Sequence, residues 1–371
     1  MPERVLITGG AGFIGRAVAT ELLNRGNSVR VLDSLIEQVH GDRQRPENLP
    51  RDAELIVGDV RNKDVVTRAV QDIDSVIHLA AEVGVGQSMY AVERYTSVNE
   101  TGSAVLFEAL IDNPVRRVVT ASSMSIYGEG LYEDADGNLV QNAERAPRTS
   151  ASQSWDPLDR EGRPLRPVAT PEWKQPSLAS IYALGKFVQE RQTLIMTQAY
   201  GMEGTCLRLF NVYGPGQALS TPYTGVLAIF SSRLLNGQRP MIFEDGEQRR
   251  DFVHVGDVAR AFAAALVHPQ ATGQVFNIGS GVDRSIREVA RSIARALHRN
   301  DLEPEIAGKA RIGDIRHCFC DGSKAAHALG FRATKDFDEG LAELAEWVAR
   351  QTADDRVDEA RAELEAKGLV A

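Results

Sequence analysis

A tyrosine and a lysine, Tyr182 and Lys186, stand four positions apart in a stretch with helical periodicity, so their side chains share one helix face. A lysine ammonium near a tyrosine favours the phenolate and should lower the pKa of the tyrosine. That phenolate could take a proton from a hydroxyl while a hydride leaves the same carbon. Ser123 lies just past the end of a predicted strand and could bond the reacting hydroxyl. The spacing alone is more typical of a helix surface, but the three residues together predict oxidation and reduction of an alcohol.

Such chemistry needs a hydride acceptor, and the first residues of the chain could bind one. An apolar run at residues 5–7 precedes Gly9, Gly12 and Gly15, and apolar residues at helical spacing follow at once. Glycines let the backbone approach a pyrophosphate closely, and a helix N-terminus offers free N–H groups to phosphate. The alternative is a purely structural turn, yet strand, glycine turn and helix together predict a dinucleotide site.

Two acids follow the next two predicted strands. Asp33 ends the run 29–32, and an acid there can accept hydrogen bonds from an adenosine ribose and oppose a 2′-phosphate. This position favours NAD over NADP. Asp59 follows the run 54–57 and could bond the adenine amino group, cap a helix at 62–70, or do both.

Composition excludes several classes of protein. The 371 residues carry a net charge of −9 and no basic run, which argues against nucleic acid or anionic membrane as a partner. The three cysteines, Cys206, Cys318 and Cys320, lack metal-ligand spacing and suit a reducing compartment. The first strand begins close to Met1, which leaves no room for a signal peptide, and no apolar run reaches membrane-spanning length. We therefore expect a cytoplasmic protein without a metal.

Strands that alternate with helices predict a parallel sheet with helices on both faces, an α/β fold of the Rossmann type. The predicted strands cover residues 5–7, 29–32, 54–57, 75–79, 117–120, 205–209 and 275–278, with short strands at 241–243 and 251–255. The predicted helices cover residues 62–70, 99–110, 180–200, 226–235, 257–267 and 286–297. The charged stretch 354–367 is predicted to be a surface helix.

A polar, proline-rich segment, residues 129–179, interrupts this alternation between Ser123 and Tyr182. It reads as irregular, and a structureless stretch of this length is usually functional or mobile. Trp155 and Trp173 could pin it to the body of the protein. Because both of its ends flank the predicted chemistry, we expect a lid over the substrate pocket.

Eight short motifs and the acid Asp33 occur together in this chain and match the pattern of a known family. They are GGAGFIG at 9–15, Asp33, GDV at 58–60, HLAA at 78–81, SSMSIYG at 122–128, YALGK at 182–186, RLFNVYGPG at 208–216, RRDFVHV at 249–255 and GDIR at 313–316. Together they resemble the extended short-chain dehydrogenase/reductase family, in particular its nucleotide-sugar epimerases and dehydratases. The resemblance covers residues 3–345.

The resemblance implies bound NAD in a Rossmann domain at 1–210, which includes the insertion 129–179. It also implies a smaller, partly interleaved α/β domain for a nucleotide sugar at 211–350, a helical tail at 351–371 and a homodimer through helices 99–110 and 180–200. The cofactor residues expected are Gly9, Gly12, Phe13, Ile14, Gly15, Asp33, Asp59, Val60, Leu79, Ala80, Ala81, Asn99, Tyr182, Lys186 and Phe210. The substrate residues expected are Ser123, Asn211, Gln217, Leu227, Arg250, Arg311 and Asp314.

By the same similarity, Asn211 and Arg250 would hold a diphosphate, whereas Arg311 and Asp314 would approach the nucleoside, with Asp314 on its ribose. A guanidinium gives the fixed positive fork that a diphosphate needs in an acidic protein. Two alternatives stay open: Arg250 could form a surface ion pair with its neighbour Asp251 or with Glu247, and Asp314 could cap a loop.

The branch of the family follows from the residues after Ser123. Family dehydratases carry an Asp-Glu pair there, whereas this chain has Met124 and Ser125, which favours a 4-epimerase. The branch that makes fucose nucleotides uses a Cys and a His near the site, and this chain has neither near Ser123 or Tyr182. The stretches 83–90, 125–132 and 214–226 resemble epimerases that act on dTDP-L-rhamnose. UDP-glucose and UDP-glucuronate epimerases, a 4-keto-sugar reductase and a non-catalytic NAD sensor are the alternatives.

Overall fold

The computed structural model describes residues 2–41, 44–145, 154–218, 225–310, 314–351 and 357–370. The strands are β1 (Arg4–Thr8), β2 (Ser28–Asp33), β3 (Glu54–Val57), β4 (Ser75–His78), β5 (Arg117–Ser123), β6 (Leu131–Glu133), β7 (Leu139–Val140), β8 (Arg166–Val168), β9 (Glu203–Leu209), β10 (Asn211–Tyr213), β11 (Met241–Ile242), β12 (Arg249–His254), β13 (Gln274–Ile278), β14 (Asp283–Ser285), β15 (Glu305–Ile306) and β16 (His317–Cys318). The α-helices are α1 (Phe13–Asn24), α2 (Glu37–His40), α3 (Lys63–Ala69), α4 (Val85–Ser88), α5 (Val92–Thr96), α6 (Gly102–Asp112), α7 (Ile181–Ala199), α8 (Val226–Leu235), α9 (Val255–Val267), α10 (Ile286–Ala296), α11 (Ser323–Leu329), α12 (Phe337–Val348) and α13 (Val357–Ala366).

Seven parallel strands form the central sheet in the order β3-β2-β1-β4-β5-β9-β13. Their apolar runs are covered on both faces, as parallel sheets require, and Val5, Ile7 and Val119 are fully buried. From β1 the chain adds β2 and β3 toward one edge of the sheet, and from β4 it adds β5, β9 and β13 toward the other edge. This reversal opens a crevice at the carboxyl ends of β1 and β4. The predicted Rossmann-type α/β fold is therefore confirmed.

Two apolar layers hold helices against this sheet. On one face α1 packs against α9, and Val18 and Phe262 lie in the same buried cluster. On the other face α3 and α6 pack together, and Val66 and Leu106 share a second cluster. Burial on both faces fixes the strand ends that carry the glycine turn and Ser123.

The chain beyond residue 210 builds a smaller unit and also returns to the central sheet. Strand β12 pairs with β10, β14 and β16, while α8, α10 and α12 enclose a separate apolar cluster that includes Phe230 and Leu341. Strand β13 and helix α9 nevertheless belong to the central sheet and its covering layer. The two parts interleave in sequence.

The insertion contains regular structure that the sequence did not predict. Strands β7, β6 and β8 form a small antiparallel sheet, and Tyr132 at its centre is fully buried. Among its described residues, 129–145 and 154–179, the expectation of an irregular segment is therefore wrong at these three strands and holds for most of the remainder. Trp173 is 56% exposed, so it does not pin the segment to the protein.

Three smaller expectations are also corrected. Asn62, and not Asp59, caps α3, because its side chain accepts from the backbone N–H groups of Asp64 and Val65. Asn99 does not open a helix, since it lies inside a π-helical turn at Ser97–Thr101 between α5 and α6. In the described part of the chain, no helix combines the length and apolarity needed to cross a membrane.

Candidate active site

A cavity of about 660 Å³ lies at the crevice where the strand order reverses. It is lined by most of the residues that the sequence singles out. These are Gly9, Gly12, Phe13, Ile14, Gly15, Asp33, Asp59, Val60, Leu79, Ala80, Ala81, Ser123, Tyr182, Lys186, Phe210, Asn211, Gln217, Arg250 and Asp314. The proposed cofactor and substrate residues thus share one continuous space.

Two of the expected residues stand apart from this lining, and a third is not described. Asn99 is fully buried behind it and holds the backbone of Glu82, accepting from its N–H at 2.7 Å and donating to its carbonyl at 3.1 Å. Leu227 lies in the apolar core, while its neighbours Val226 and Ile229 line the cavity. Arg311 lies outside the described residues.

The glycine turn has the close packing that a dinucleotide cradle needs. Gly9 adopts φ +70°, and a Cβ there would lie 2.8 Å from the backbone nitrogen of Ala80. A Cβ on Gly15 would lie 2.5 Å from the Cα of Gly10. Only glycine fits at these two positions, and the N-terminus of α1 faces the cavity beside them. The residues present therefore fit a pyrophosphate at this end of the cavity.

Asp33 is fixed by the turn that it faces. One carboxylate oxygen accepts from the N–H of Ala11 at 3.0 Å, and the other accepts from the N–H of Leu35 at 2.9 Å. The ring of His40 lies 3.6 Å from the second oxygen. Asp59 is held by a side chain instead, since it accepts hydrogen bonds from Arg61. These hydrogen bonds lower the pKa of the Asp59 carboxyl. Both carboxyl groups border the cavity.

Tyr182 and Ser123 come together although 58 positions separate them in the sequence. Ser123 is the last residue of β5, and its hydroxyl accepts from the N–H of Ser125 at 3.1 Å. Tyr182 lies in the first turn of α7, which Ser180 caps. The two hydroxyls interact, and this hydrogen bond lowers the pKa of Tyr182, but burial outweighs it and raises the pKa above its usual value.

Lys186 donates two hydrogen bonds of 2.9 Å, to the carbonyl of Ala121 and to the side-chain oxygen of Gln189. Burial lowers the pKa of its amine to about 7. The expected lowering of the Tyr182 pKa is therefore wrong for the protein by itself, because desolvation disfavours both charged forms. A positive charge brought into the cavity would favour the phenolate.

Sequence reasoning missed the polar layer behind Lys186. His78 is fully buried, and burial lowers its pKa to about 3, so the ring is neutral. Its Nδ1 lies 2.7 Å from the hydroxyl of Thr8, and its Nε2 lies 3.1 Å from the amide nitrogen of Gln189. The available signals were the HLAA motif at 78–81 and the position of Gln189, three residues after Lys186 on the same helix.

On the opposite side of the cavity, Arg250 is buried in β12. Its guanidinium donates to the carbonyls of Arg316, at 2.9 Å, and Ile315, and it lies 3.6 Å from the Asp314 carboxylate. Asp251 instead accepts from the N–H groups of Ser280 and Gly281, so a surface pair with Arg250 is excluded. The Asp314 carboxylate accepts from the N–H of Ile315 at 3.0 Å.

Three buried amide oxygens near Arg250 have no hydrogen-bond partner within the described protein. They belong to Asn211, Gln217 and Gln248, and all three residues line the cavity. A buried polar atom without a partner costs free energy, on the order of 1–3 kcal/mol. A bound molecule with hydrogen-bond donors would remove that cost.

The insertion braces the Arg250 site from behind. None of its described residues lines the cavity, so the expected lid is not supported there. Asp156 bonds the buried guanidinium of Arg316 at 2.6 Å, and Asp245 bonds the same group from the loop after β11. Since Arg316 offers its carbonyl to Arg250, the insertion helps to fix that carbonyl.

The C-terminal helix α13 is a surface helix, as expected, but it also reaches the cavity. Leu364 is only 7% exposed and lines the cavity beside Gly86. Glu363 accepts from the hydroxyl of Tyr90 at 2.9 Å, and Glu365 pairs with Lys309 at 3.2 Å. Through Leu364 the tail therefore contributes to the cavity wall.

Known proteins with the same pattern are enzymes that bind NAD and nucleotide sugars. The pattern of the NAD dependent epimerase/dehydratase family matches residues 5–150 and 163–279. A dTDP-L-rhamnose 4-epimerase of Burkholderia thailandensis is 36% identical over 353 residues, covering 94% of this chain and 96% of that protein. A UDP-glucose 4-epimerase of Mycolicibacterium smegmatis is 33% identical over 353 residues, covering 94% and 99%.

Solved structures agree in fold. The UDP-glucose 4-epimerase of Thermotoga maritima with UDP-glucose superposes with a TM-score of 0.77 at 30% identity, covering 94% of this chain and 99% of that one. The UDP-glucose 4-epimerase of Thermus thermophilus in complex with NAD gives 0.74 at 31% identity, covering 94% and 100%. The chain belongs to the NAD-dependent epimerase/dehydratase family and is an NAD-dependent enzyme of the nucleotide-sugar epimerase type.

Proposed function

We propose that this enzyme inverts C4 of a dTDP-linked 6-deoxy sugar, interconverting dTDP-L-rhamnose and dTDP-6-deoxy-L-talose. The observation that carries the inversion is the cavity wall after Ser123, where Met124 and Ser125 stand and no acid follows to expel water. The choice of sugar and base is supported by the 36% identity to a dTDP-L-rhamnose 4-epimerase over nearly the whole chain.

Ser123, Tyr182 and Lys186 are assigned the catalytic roles. NAD, when bound, supplies an acceptor that takes a hydride from C4 and gives it back. Tyr182 takes the proton of the C4 hydroxyl and returns it to the oxygen after the ketone has turned over, while Ser123 bonds that oxygen. Lys186 would bond the nicotinamide ribose and support the negative charge on Tyr182.

The rest of the cavity would hold the two ligands. The glycine turn, Asp33, Asp59, the backbone at 79–81 and Phe210 would bind the cofactor, with Asn99 positioning Glu82 behind it. Asn211, Gln217 and Arg250 would bind the diphosphate, and Asp314 with Arg311 the nucleoside. Leu227 would not touch a ligand, but from the apolar core it would support Val226 in the cavity wall. A diphosphate anchored this way lets the keto sugar rotate without leaving.

UDP-glucose or UDP-glucuronate is the second candidate substrate. The 33% identity to a UDP-glucose 4-epimerase supports UDP-glucose. The 31% identity to MoeE5, which was solved with UDP-glucuronic acid and NAD, supports UDP-glucuronate. A reductase of 4-keto sugars that uses NADPH is disfavoured, because the carboxylate of Asp33 would oppose a 2′-phosphate.

A substrate panel tests the proposal. The purified protein is incubated without added cofactor with dTDP-, UDP- and GDP-sugars, and products are followed by NMR. We expect the C4 epimer of dTDP-L-rhamnose to form fastest. Faster epimerisation of a UDP-sugar would overturn the substrate assignment, and turnover only with added NADPH would overturn the inversion.

We also propose a homodimer built through α6 and α7. Ile111, Leu184 and Ile195 on these helices are exposed by 37%, 39% and 55%, and a second copy of the chain would cover them. Light scattering should give about twice the chain mass of 40.5 kDa, and Ile195→Lys should halve it. The three buried, unpaired thiols support a reducing, cytoplasmic location.

A further inference from the structure

Gln189 lies one helical turn after Lys186 on the buried face of α7, and it is 1% exposed. Its side-chain oxygen accepts from Lys186 Nζ at 2.9 Å. Since an ammonium group can only donate, the oxygen and not the nitrogen of this amide must face Lys186. Two of the three ammonium hydrogens are thus used, one by Gln189 and one by Ala121.

The amide nitrogen of Gln189 faces the other way, toward the cofactor loop. It lies 3.2 Å from the carbonyl of Ala80, 2.9 Å from the hydroxyl of Ser103 and 3.1 Å from His78 Nε2. Ala80 is also the residue against which Gly9 packs. One side chain therefore connects Lys186 to the glycine turn.

We propose that Gln189 is a positioning residue that holds the Lys186 amine toward the cavity and, as a neutral acceptor, sets the protonation of that amine. This inference rests on the role of Lys186 in the proposed function. The geometry supports it because Gln189 is anchored on its far side by three groups, so its oxygen cannot follow Lys186 freely. Because Gln189 and Ala121 accept two of the Lys186 ammonium hydrogens, the third hydrogen is left to bond groups in the cavity.

The neutrality of Gln189 matters because the layer around Lys186 is poor in charge. His78 from β4 and Cys206 from β9 interact electrostatically with the amine, and Tyr182 and Glu190 lie four positions before and after Lys186 on its own helix. His78 is neutral, burial raises the pKa of the Cys206 thiol, and the Glu190 carboxylate is occupied by Arg208 and Ser122. A carboxylate at position 189 would be the first negative charge in direct contact with the Lys186 amine.

Two substitutions should therefore move the pH profile in opposite directions. Gln189→Glu adds a negative charge that favours the ammonium form, so the alkaline limb of kcat should shift upward by about 1–3 pH units. Gln189→Met removes the acceptor, so the limb should shift downward and kcat should fall about tenfold. KM for the sugar nucleotide should change little in either variant, since Gln189 does not line the cavity. Gln192→Met, one turn further along α7, is the control.

A readout that does not depend on turnover separates this inference from the proposed function. Lysines are labelled with ¹³C at Cε, and the Lys186 signal is identified by its loss in Lys186→Arg. We expect its titration midpoint to rise in Gln189→Glu and to fall in Gln189→Met. Midpoints and profiles that match the wild type in both variants, or that shift the same way, would overturn the role of Gln189. A wild type that epimerises no nucleotide sugar, with opposite midpoint shifts intact, would overturn only the proposed function.

Discussion

The two sides of the cavity differ in how far the protein satisfies its own polar groups. On the side proposed to bind the cofactor, which we call the cofactor side, Asp33 and Lys186 each have two hydrogen-bond partners supplied by the chain. On the side proposed to bind the sugar nucleotide, the substrate side, the buried amide oxygens of Asn211, Gln217 and Gln248 have none among the described residues.

This difference indicates two ways of binding. A side whose groups are already fixed is organised before its ligand arrives, so binding costs little further ordering. A side with buried, unsatisfied oxygens gains hydrogen bonds only when a ligand brings donors. The first arrangement suits a cofactor that stays bound, and the second suits a substrate that exchanges at each turnover.

The largest effect is expected at the border of the two sides. Tyr182→Phe removes the proton-transferring hydroxyl, and loss of such a group typically costs about 10²–10⁴-fold in kcat. NAD content should be unchanged, because the cofactor side remains fixed. Tyr200→Phe, at the exposed end of the same helix, is the control. Near wild-type turnover in Tyr182→Phe would refute the catalytic assignment.

Arg250→Lys tests the substrate side alone. Lysine lacks the planar fork that reaches two carbonyls and a diphosphate together, and a hydrogen bond to a charged group is worth about 1.5–3 kcal/mol. KM for the sugar nucleotide should rise about tenfold to a hundredfold. Arg249→Lys, which alters the neighbouring pair with Asp283, should change KM little. A loss of NAD with unchanged KM would contradict the division of the cavity.

Asp33→Ala tests the cofactor side. Removal of the carboxylate frees the N–H groups of Ala11 and Leu35 and ends the repulsion of a 2′-phosphate. NAD affinity should fall by about tenfold, and discrimination against NADP should relax. Fluorescence titration with both dinucleotides measures this, with Asp52→Ala as a surface control. Equal affinities in mutant and wild type would show that Asp33 does not face the ribose.

Asp156→Asn weakens the brace behind the substrate side and should raise KM a few-fold while NAD binding stays unchanged. Bonding to His317 and Arg316 lowers the pKa of Asp156 to about 2, against an ordinary value near 4. The stabilisation is therefore complete above about pH 4 and is lost as pH falls toward 2. The Tm difference between wild type and Asp156→Asn should shrink over that range, whereas Asp136→Asn should show no difference. A Tm gap that stays constant to pH 2 would contradict the brace.

The features that could be predicted from the sequence are those set by local pattern. The glycine turn, the strands of the central sheet and the Tyr182–Lys186 helix follow from apolar periodicity and spacing. The small sheet of the insertion does not, because a strand of three residues such as Arg166–Val168 depends on a partner far along the chain, Leu131–Glu133. The pKa of Tyr182 was mispredicted for a similar reason, since the pair is visible in the sequence but its burial is not.

The most direct test of the account follows the hydrogen at C4. dTDP-L-rhamnose and UDP-glucose carrying deuterium at C4 are incubated in ordinary water with the purified enzyme and no added cofactor, and both epimers are analysed by NMR. The account predicts that a C4 epimer forms and keeps its deuterium, because bound NAD would accept that hydride and return it to the same carbon. Exchange of the label with solvent during inversion, or no epimer from either sugar, would contradict it.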